Sequence, residues 1–439
     1  MITVSDHCGG PDPIAATLAL AEAATIHWDA IVIGAGPAGS AVAIRLARQG
    51  RRVLQVDRAA LPRPKVCGCC LSPLAVAELV DLGTGRVLAA ALPLATVRLL
   101  ASGGEARIPM PRGNVLSREA LDTELVREAI LAGSAWLPQV VVESIHESAE
   151  TIPEDGGVLL TARSSVSEPQ ETARLRSRLV VIAAGLADAI KITSAKNHAS
   201  AQMRLPRGRR VASRSRIGLG TTLPAGALDL PPGELIMAVA DDGYCGIVTL
   251  EDGRIDFAAA VDRRLIAGAD GLAGCITQLL SDADGGGGSA LDCSQLSPLL
   301  KAVSFRATPP LTHASPLLGS HSERIFRVGD AAGYVEPFTG EGIGWALASG
   351  RILAASLTGN RGAPLIASAA AAAGYQVQHR RMFTAHHARV SWVAHGVRHP
   401  TIVTAAVQLA NLMPWAAARA LPLVTGAGRA AASRAGISP

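Results

Sequence analysis

Aromatic residues are scarce in this chain: Phe, Tyr and Trp make up 3% of its 439 residues. Hydrophobic residues still reach 49%, so alanine and the aliphatic side chains must build most of the core. Cysteine is sparse as well, seven in all and irregularly spaced, which excludes a disulfide framework. Three of the seven fall in "KVCGCCLSP" without a second Cys or His cluster at zinc spacing, so no metal site is expected. A reduced, cytoplasmic protein is the expectation. Long Lys/Arg blocks interleaved with aromatics are also missing. The formal charge of +5 therefore suits an anionic cofactor, an acidic partner or a membrane surface better than nucleic acid. No apolar run reaches transmembrane length. "PIAATLALAEAAT" is short, contains Glu22 and has no basic region before it, so a signal peptide is not expected either.

What is present begins at Trp28 with "WDAIVIGAGPAGSAVAIRLARQGRRVLQVDR". Ala30 to Ile33 reads as a buried strand, Pro37 to Gln49 as a helix, and Arg52 to Val56 as a second strand ending at Asp57. That is a βαβ unit. Gly34 permits the tight turn, Gly36 lets backbone approach a diphosphate, and Gly39 allows close helix–strand packing. The helix start adds N–H groups and a positive dipole end, and the Asp57 carboxylate stands where ribose hydroxyls are bound. A lone GxGxxG carries little; strand, turn, helix, strand and acid in register carry far more.

Downstream, "LSPLAVAELVDLG" reads as a helix closed by Gly83, and "TVRLLASGGEARIPM" as a hairpin about Gly103-Gly104. Ser117 caps a helix that Gly133 ends. Three short strands follow, around Val140 to Ile145, Gly157 to Ala162 and Thr172 to Leu175, then a separate buried strand in "SRLVVIAAG". From Ile217 to Val261 the pattern is again β, with a hairpin turning at Asp252-Gly253. "SDADGGGGSA" reads as a low-complexity loop. "ERIFRVGDAAGYVEPFTGEGIGWALASGRILAASL" returns to strand, loop and helix, with Asp330 at the strand end. Beyond Leu365 helices are expected, broken at Pro400, Pro414 and Pro422.

With the opening turn, "RVGDAAGYVEPFTGEGIGWAL" resembles the FAD-dependent oxidoreductases and monooxygenases of the p-hydroxybenzoate-hydroxylase-type superfamily, most closely the geranylgeranyl-reductase-related branch. The resemblance implies FAD held at Gly34, Gly36, Ala38 and Gly39, with Asp57 and Arg58 at the end of the second strand. In "LPRPKVCGCCLSP" it implies a Cys67-Gly68 pair passing near the flavin. In "LSREALDTELVREA" it implies Arg118 on the diphosphate, with Asp122 at the matching acid. "RLVVIAAG" ends at Gly185 but reads Ala183-Ala184-Gly185 where the family has Ala-Asp-Gly. Asp330 matches the acid that binds the ribityl chain or adjoining pyrophosphate, and Pro337 to Gly342 matches the loop beside the isoalloxazine ring. Gly340 and Gly342 expose N–H groups, and a helix starting near Ile343 would turn its positive end to the reduced flavin.

The implied fold is α/β: a Rossmann-type, glutathione-reductase-like FAD domain with an inserted α+β substrate domain of mainly antiparallel sheet and a C-terminal helical region. The expected boundaries are an N-terminal extension over 1–27 and an FAD domain over 28–190 and 319–365. The substrate domain would cover 191–318, its sheet joined by 96–110, and the helical region 366–439. Candidates for the reacting centre are Cys67, Tyr244 and Pro337. Cys67 is either a redox or nucleophilic thiol or, the commoner role, a small residue packed under the flavin. Lys65 and Arg63 fit equally as phosphate-site charges or as solvated ones. His379, His386, His387, His395 and His399 read as a solvated basic face. His395 and His399 are four apart, without a third metal ligand, and the basic tail offers peripheral membrane contact.

The family's reductases and halogenases carry Trp-rich strand motifs that "GYCGIVTLEDG" lacks. Hydroxylation is therefore the expected reaction, on an aromatic or polyketide-like substrate or on tryptophan in a peptide or protein. It would use O2 through a C4a-peroxyflavin, with NAD(P)H as a transient donor, since no second dinucleotide fingerprint is visible. The alternatives are geranylgeranyl-reductase-like reduction of isoprenoid double bonds, and a non-catalytic flavoprotein that binds a membrane or a partner.

Overall fold

The computed structural model describes residues 11–148, 157–167, 170–187, 190–194, 210–285, 292–315, 322–336, 338–357 and 368–425. Its first sheet runs in the order β10 (Lys191–Ser194), β7 (Val140–Ser148), β8 (Gly157–Ser164), β9 (Thr172–Ile182), β1 (His27–Ile33), β2 (Val53–Val56), β6 (Ala135–Leu137), and β18 (Ile325–Arg327) also pairs with β9. The core of this sheet is parallel: β1 pairs with both β2 and β9, and β9 with β18. β9 is long enough to take β8 along its first half and β18 along its second. The stretches Thr172 to Leu175 and "SRLVVIAAG", expected as two strands, are thus one strand whose residues 179–182 are all buried. Register then does the organising. Ile182 pairs with Ile33 on one side and Arg327 on the other, so three strands end at one edge. Ligands of open α/β sheets bind at such an edge.

Helices α2 (Pro37–Ala47), α3 (Pro73–Asp81), α4 (Arg118–Leu131) and α8 (Gly342–Leu357) share the apolar core on one face of this sheet. α2 starts at Pro37, whose missing N–H costs nothing there, and almost all of it is buried. Gly34 has φ +114, and a Cβ on it would stand 2.3 Å from the Ala183 carbonyl oxygen. Only glycine lets β1 turn into α2 this close to the end of β9. Residues 11–26, expected as an extension before the fold, lie against it. Their helix α1 (Leu20–Thr25) buries Leu20 and Ala23, and Trp28 Nε1 donates to the Ala23 carbonyl.

The second sheet has the order β16 (Arg306–Pro310), β12 (Ile217–Leu223), β15 (Ile255–Val261), β14 (Gly243–Thr249), β13 (Glu234–Ala240), β4 (Leu92–Ala101), β5 (Gly104–Val115), β3 (Cys70–Leu71). It is antiparallel except where β13 meets β4. Its strands alternate cleanly. Cys245, Ile247, Phe257 and Ala259 pack with α6 (Gly271–Asp284) and α7 (Cys293–Lys301), preceded by the short α5 (Arg263–Gly268). Tyr244 and Val248 belong to the core on the opposite face. A small third sheet joins β11 (Arg210–Val211), β17 (His313–Ala314) and β19 (Gly333–Tyr334). Lys191–Ser194, expected at the start of the substrate domain, instead adds β10 to the open edge of β7. Ser281 to Asp284 of the expected loop continue α6, and residues 286–290 of it lie outside the described residues.

α9 (Ala369–Gly396), α10 (Pro400–Leu412) and α11 (Pro414–Thr425) finish the described chain. Pro400 and Pro414 open helices, whereas Pro422, expected as a break, falls inside the span of α11. Among the described residues no helix is long and apolar enough to cross a membrane.

One buried ion cluster ties these layers together. Arg216, fully buried on the approach to β12, meets Glu336 at 3.1 Å, and Arg398, just past α9, meets the other Glu336 oxygen at 3.1 Å. Asp262, before α5, lies 3.6 Å from Arg216 and 3.3 Å from Arg398. Removing one member of a buried pair strands the other charge. Glu336→Ala is therefore expected to cost about 3–5 kcal/mol in urea denaturation followed by tryptophan fluorescence. A loss below about 1 kcal/mol would mean that the cluster is solvent-screened.

Candidate cofactor and active site

At the edge where β1, β9 and β18 end, α2 begins with Gly36 as its N-cap and no side chain capping it. The positive end of the helix is left for a ligand. A Cβ placed on Gly36 would meet Lys65 Nζ at 3.5 Å and an Arg118 guanidinium nitrogen at 3.7 Å. Both cations are held by one carboxylate. Asp122, with no exposed surface, takes Lys65 at 2.6 Å and both Arg118 Nε and a terminal nitrogen at 3.0 and 2.9 Å. Burial alone would raise the Asp122 carboxyl; Arg118 and Lys65 outweigh it and hold it below the usual range. Two cations against one anion leave a net positive cradle beside the amides of α2, which fits a diphosphate. Lys65 is thus bound in the site rather than solvated.

The start of α4 is fixed from the second sheet. Ser117 accepts from Ala120 N as the helix cap, while Glu251, at the β14–β15 turn, accepts from Ser117 N at 2.8 Å and from Ser117 Oγ at 2.5 Å. The hairpin therefore sets where Arg118 points. Asp57, 5% exposed, accepts from Ala35 N at 2.8 Å, Ala59 N at 3.0 Å and Arg63 at 2.9 Å. Arg63 thereby orients Asp57, and Arg58 points to solvent. Gly185 stands with φ +67 just beyond β9.

Asp330 follows β18, across 3₁₀ residues Gly329–Ala332. Burial pushes its carboxyl up to about 6; Arg118 and Lys65 oppose that rise and Cys67 adds to it, which places all four groups in one electrostatic neighbourhood. Gly329 has φ +58, and its Cβ would be 2.7 Å from that of Ala38, so Asp330 sits directly over the start of α2. The Cys69 thiol donates to Cys67, and Arg118 lies beside it. Together they hold Cys67 below the ordinary thiol range against the effect of burial, while Cys69 and Cys70 are pushed up. The segment reaches the second sheet because Gly68 faces Ala258 and Val66 faces Gly220. Asp256 on that face is driven well above the usual carboxylate range by burial.

The loop after Asp330 carries Tyr334, Glu336, Phe338, Gly340 and Gly342; Pro337 lies outside the described residues. A Cβ on Gly340 would meet the Cys70 Cβ at 3.7 Å, and one on Gly342 the Tyr334 ring at 3.8 Å. Helix α8 starts at Gly342, one residue earlier than expected, with Ile343 buried in its first turn. Tyr244 meets Phe338 edge-to-face at 5.0 Å, with the Arg216 guanidinium 5.7 Å from its ring centre. Burial keeps the hydroxyls of Tyr244 and Tyr334 protonated. Tyr334 was not picked out by sequence, although it is one of three tyrosines and lies inside the motif that carried the resemblance.

α9 backs this loop. Glu341, 2% exposed, accepts from Arg389 at 2.7 Å and Thr339 at 3.2 Å, and Trp345 stacks on His386 at 3.9 Å. His379 stacks on Phe383 at 4.0 Å. Burial lowers His379 to about 4 and His386 to about 3, so these two are neutral core residues, not a solvated basic face as expected. His395 and His399 do meet, at 3.3 Å, on the surface, but no group of metal-ligating side chains is present among the described residues.

The family described as FAD binding domain matches residues 27–195, and the cofactor is FAD. A menaquinone reductase from Mycobacterium tuberculosis is 39% identical over 127 residues, 28% of this chain and 31% of that protein, so the match spans under a third of the relative's length. Among solved structures, a flavoprotein/dehydrogenase from Cytophaga hutchinsonii superposes with TM-score 0.67 at 15% identity, over 91% of this chain and 93% of that one. A probable FAD-dependent monooxygenase from Pseudomonas aeruginosa gives TM-score 0.62 at 17% identity, over 87% and 99%. The fold is that of the p-hydroxybenzoate-hydroxylase-type flavoproteins. None of these matches singles out the geranylgeranyl-reductase branch.

The raised Asp330 carboxyl sets a pH dependence in FAD-free protein. Its folded pKa, about 6, lies above the unfolded value near 3.9, so ionisation favours unfolding. Below about 4 the group is neutral in both states and costs nothing; between about 4 and 6 the cost grows, and above 6 it is constant. Asp330→Asn should therefore raise Tm relative to the parent at pH 7, with the gap closing as pH falls from about 6 to about 4. A gap independent of pH would show that Asp330 titrates normally.

Proposed function

We propose that the chain is an FAD-dependent oxidoreductase of the monooxygenase type, hydroxylating a flat, largely apolar small substrate with O2 and with NAD(P)H as a transient donor. The observation that carries this reading is the edge-to-face pair of Tyr244 and Phe338. It stands where the inner face of the second sheet meets the loop that follows Asp330, and it offers an aromatic wall next to the cofactor-binding groups. FAD, when bound, would supply the two-electron redox chemistry of the reaction. Gly36, Lys65 and Arg118 would bind its diphosphate, Asp57 and Asp330 its hydroxyls, and the Gly340 to Gly342 turn would approach its ring. The chain's part in the chemistry is to orient and to exclude water. Tyr244 and Tyr334 stay protonated and can each donate a hydrogen bond to a substrate oxygen. The buried Arg216–Glu336–Arg398 cluster holds the loop beneath them.

A second reading is reduction of an isoprenoid double bond. The menaquinone reductase match supports the same alternative.

Supplying NAD(P)H, a panel of aromatic substrates and isotopically labelled O2 separates the two. Monooxygenation predicts label in the product and no product without oxygen. Anaerobic turnover to a saturated product would replace it with the reductase.

A further inference from the structure

Eleven large hydrophobic residues are exposed among the described residues, and six of them, Trp392, Ile402, Leu409, Leu412, Met413 and Trp415, fall between positions 392 and 415. They share outer faces. On α10, Val403, Val407 and Ala410 are buried, while Ile402, Ala405, Ala406, Leu409 and Leu412 are exposed, the spacing of one helical stripe. Trp392 is 84% exposed, on the α9 stripe that also carries Arg381 and His395, and Leu412 is 80% exposed. A helix apolar on both faces is stable only when both are covered. The described residues cover the inner face alone.

Charge identifies what covers the outer face. Residues 366–439 contain seven arginines and no Asp, Glu or Lys. Arg380, Arg381 and Arg419 are exposed, and Arg419 lies 5.5 Å from the Trp415 ring centre. Of the acids on elements packed against these helices, Glu105 on β5 is bound by Arg98 and Arg107, and Glu341 by Arg389. A two-fold contact between copies through this face would set arginine against arginine without a carboxylate of the segment between them. Exposed Trp and Leu, with Arg419 beside Trp415, Arg380 and Arg381 exposed on α9 and no acid in the segment, instead match the boundary of an anionic bilayer, where indole sits at headgroup level.

We infer that the outer faces of α9, α10 and α11 form a peripheral docking surface for an anionic lipid membrane. The helices lie on the bilayer and do not cross it. Their inner faces pack with Tyr244, Tyr334 and Phe338, so a docked bilayer stands one helix, about 10 Å, from the aromatic wall. The docking surface itself stands whichever reaction the flavin performs.

Co-sedimentation of the FAD-loaded full chain with vesicles tests this. Vesicles of phosphatidylcholine containing phosphatidylglycerol should carry the protein down, pure phosphatidylcholine vesicles far less, and added salt should release part of it. The double variant Trp392→Ser, Leu412→Ser should lower partitioning about tenfold, with FAD content and flavin absorbance unchanged as the control for folding. The inference fails if the parent chain does not sediment with the anionic vesicles, or if the variant sediments equally. It fails too if the same substitutions instead break a concentration-dependent dimer that vesicles leave intact.

Discussion

One buried carboxylate, Asp122, holds Lys65 and Arg118 together beside the first turn of α2. The rest of the site is arranged around that triad. Without Asp122 the two cations would repel each other and their burial would be uncompensated. With it they form a fixed, net positive cradle whose geometry precedes the ligand. The second sheet contributes directly, because Glu251 binds Ser117 and so sets the N-terminus of the helix that carries both Arg118 and Asp122. The cation cradle and the second sheet are therefore one mechanical unit, and Cys67 owes part of its acidity to the same guanidinium.

Backbone register explains how residues so far apart in the chain meet. Ile182 is paired at once with Ile33 and Arg327, so the turn after β1 and the acid after β18 emerge side by side. This much was legible in the sequence. Gly34 and Gly39 stand where only glycine fits, Gly36 opens helix α2, and Arg118 and Asp330 lie in stretches that resemble a known family. The βαβ unit and the hairpin at Asp252-Gly253 also came through, since helical and strand periods differ strongly there.

What was not legible depends on long-range packing. Nothing local marks Arg216 and Glu336 as partners, 120 residues apart, or Glu341 as the anchor of Arg389. The histidines of α9 looked like a polar face because neutral imidazole and charged imidazolium are the same letter; the stacking of His386 on Trp345 decides between them. Strand ends misled in a similar way. Residues 191–194 have no pattern that assigns them to one sheet or the other, and the open edge of β7 settled it.

The central claim is that the triad beside Gly36 is the diphosphate seat of FAD, and Arg118→Met tests it most directly. That substitution removes one cation and leaves Asp122 paired with Lys65, so the fold keeps a neutral pair in place of a charged cradle. Titration of FAD into the FAD-free proteins, read by quenching of flavin fluorescence, should show Kd raised about tenfold or more, about 1.4 kcal/mol, with a shallower dependence on salt in the variant. An unchanged Kd with the same salt dependence would contradict the account and place the diphosphate elsewhere.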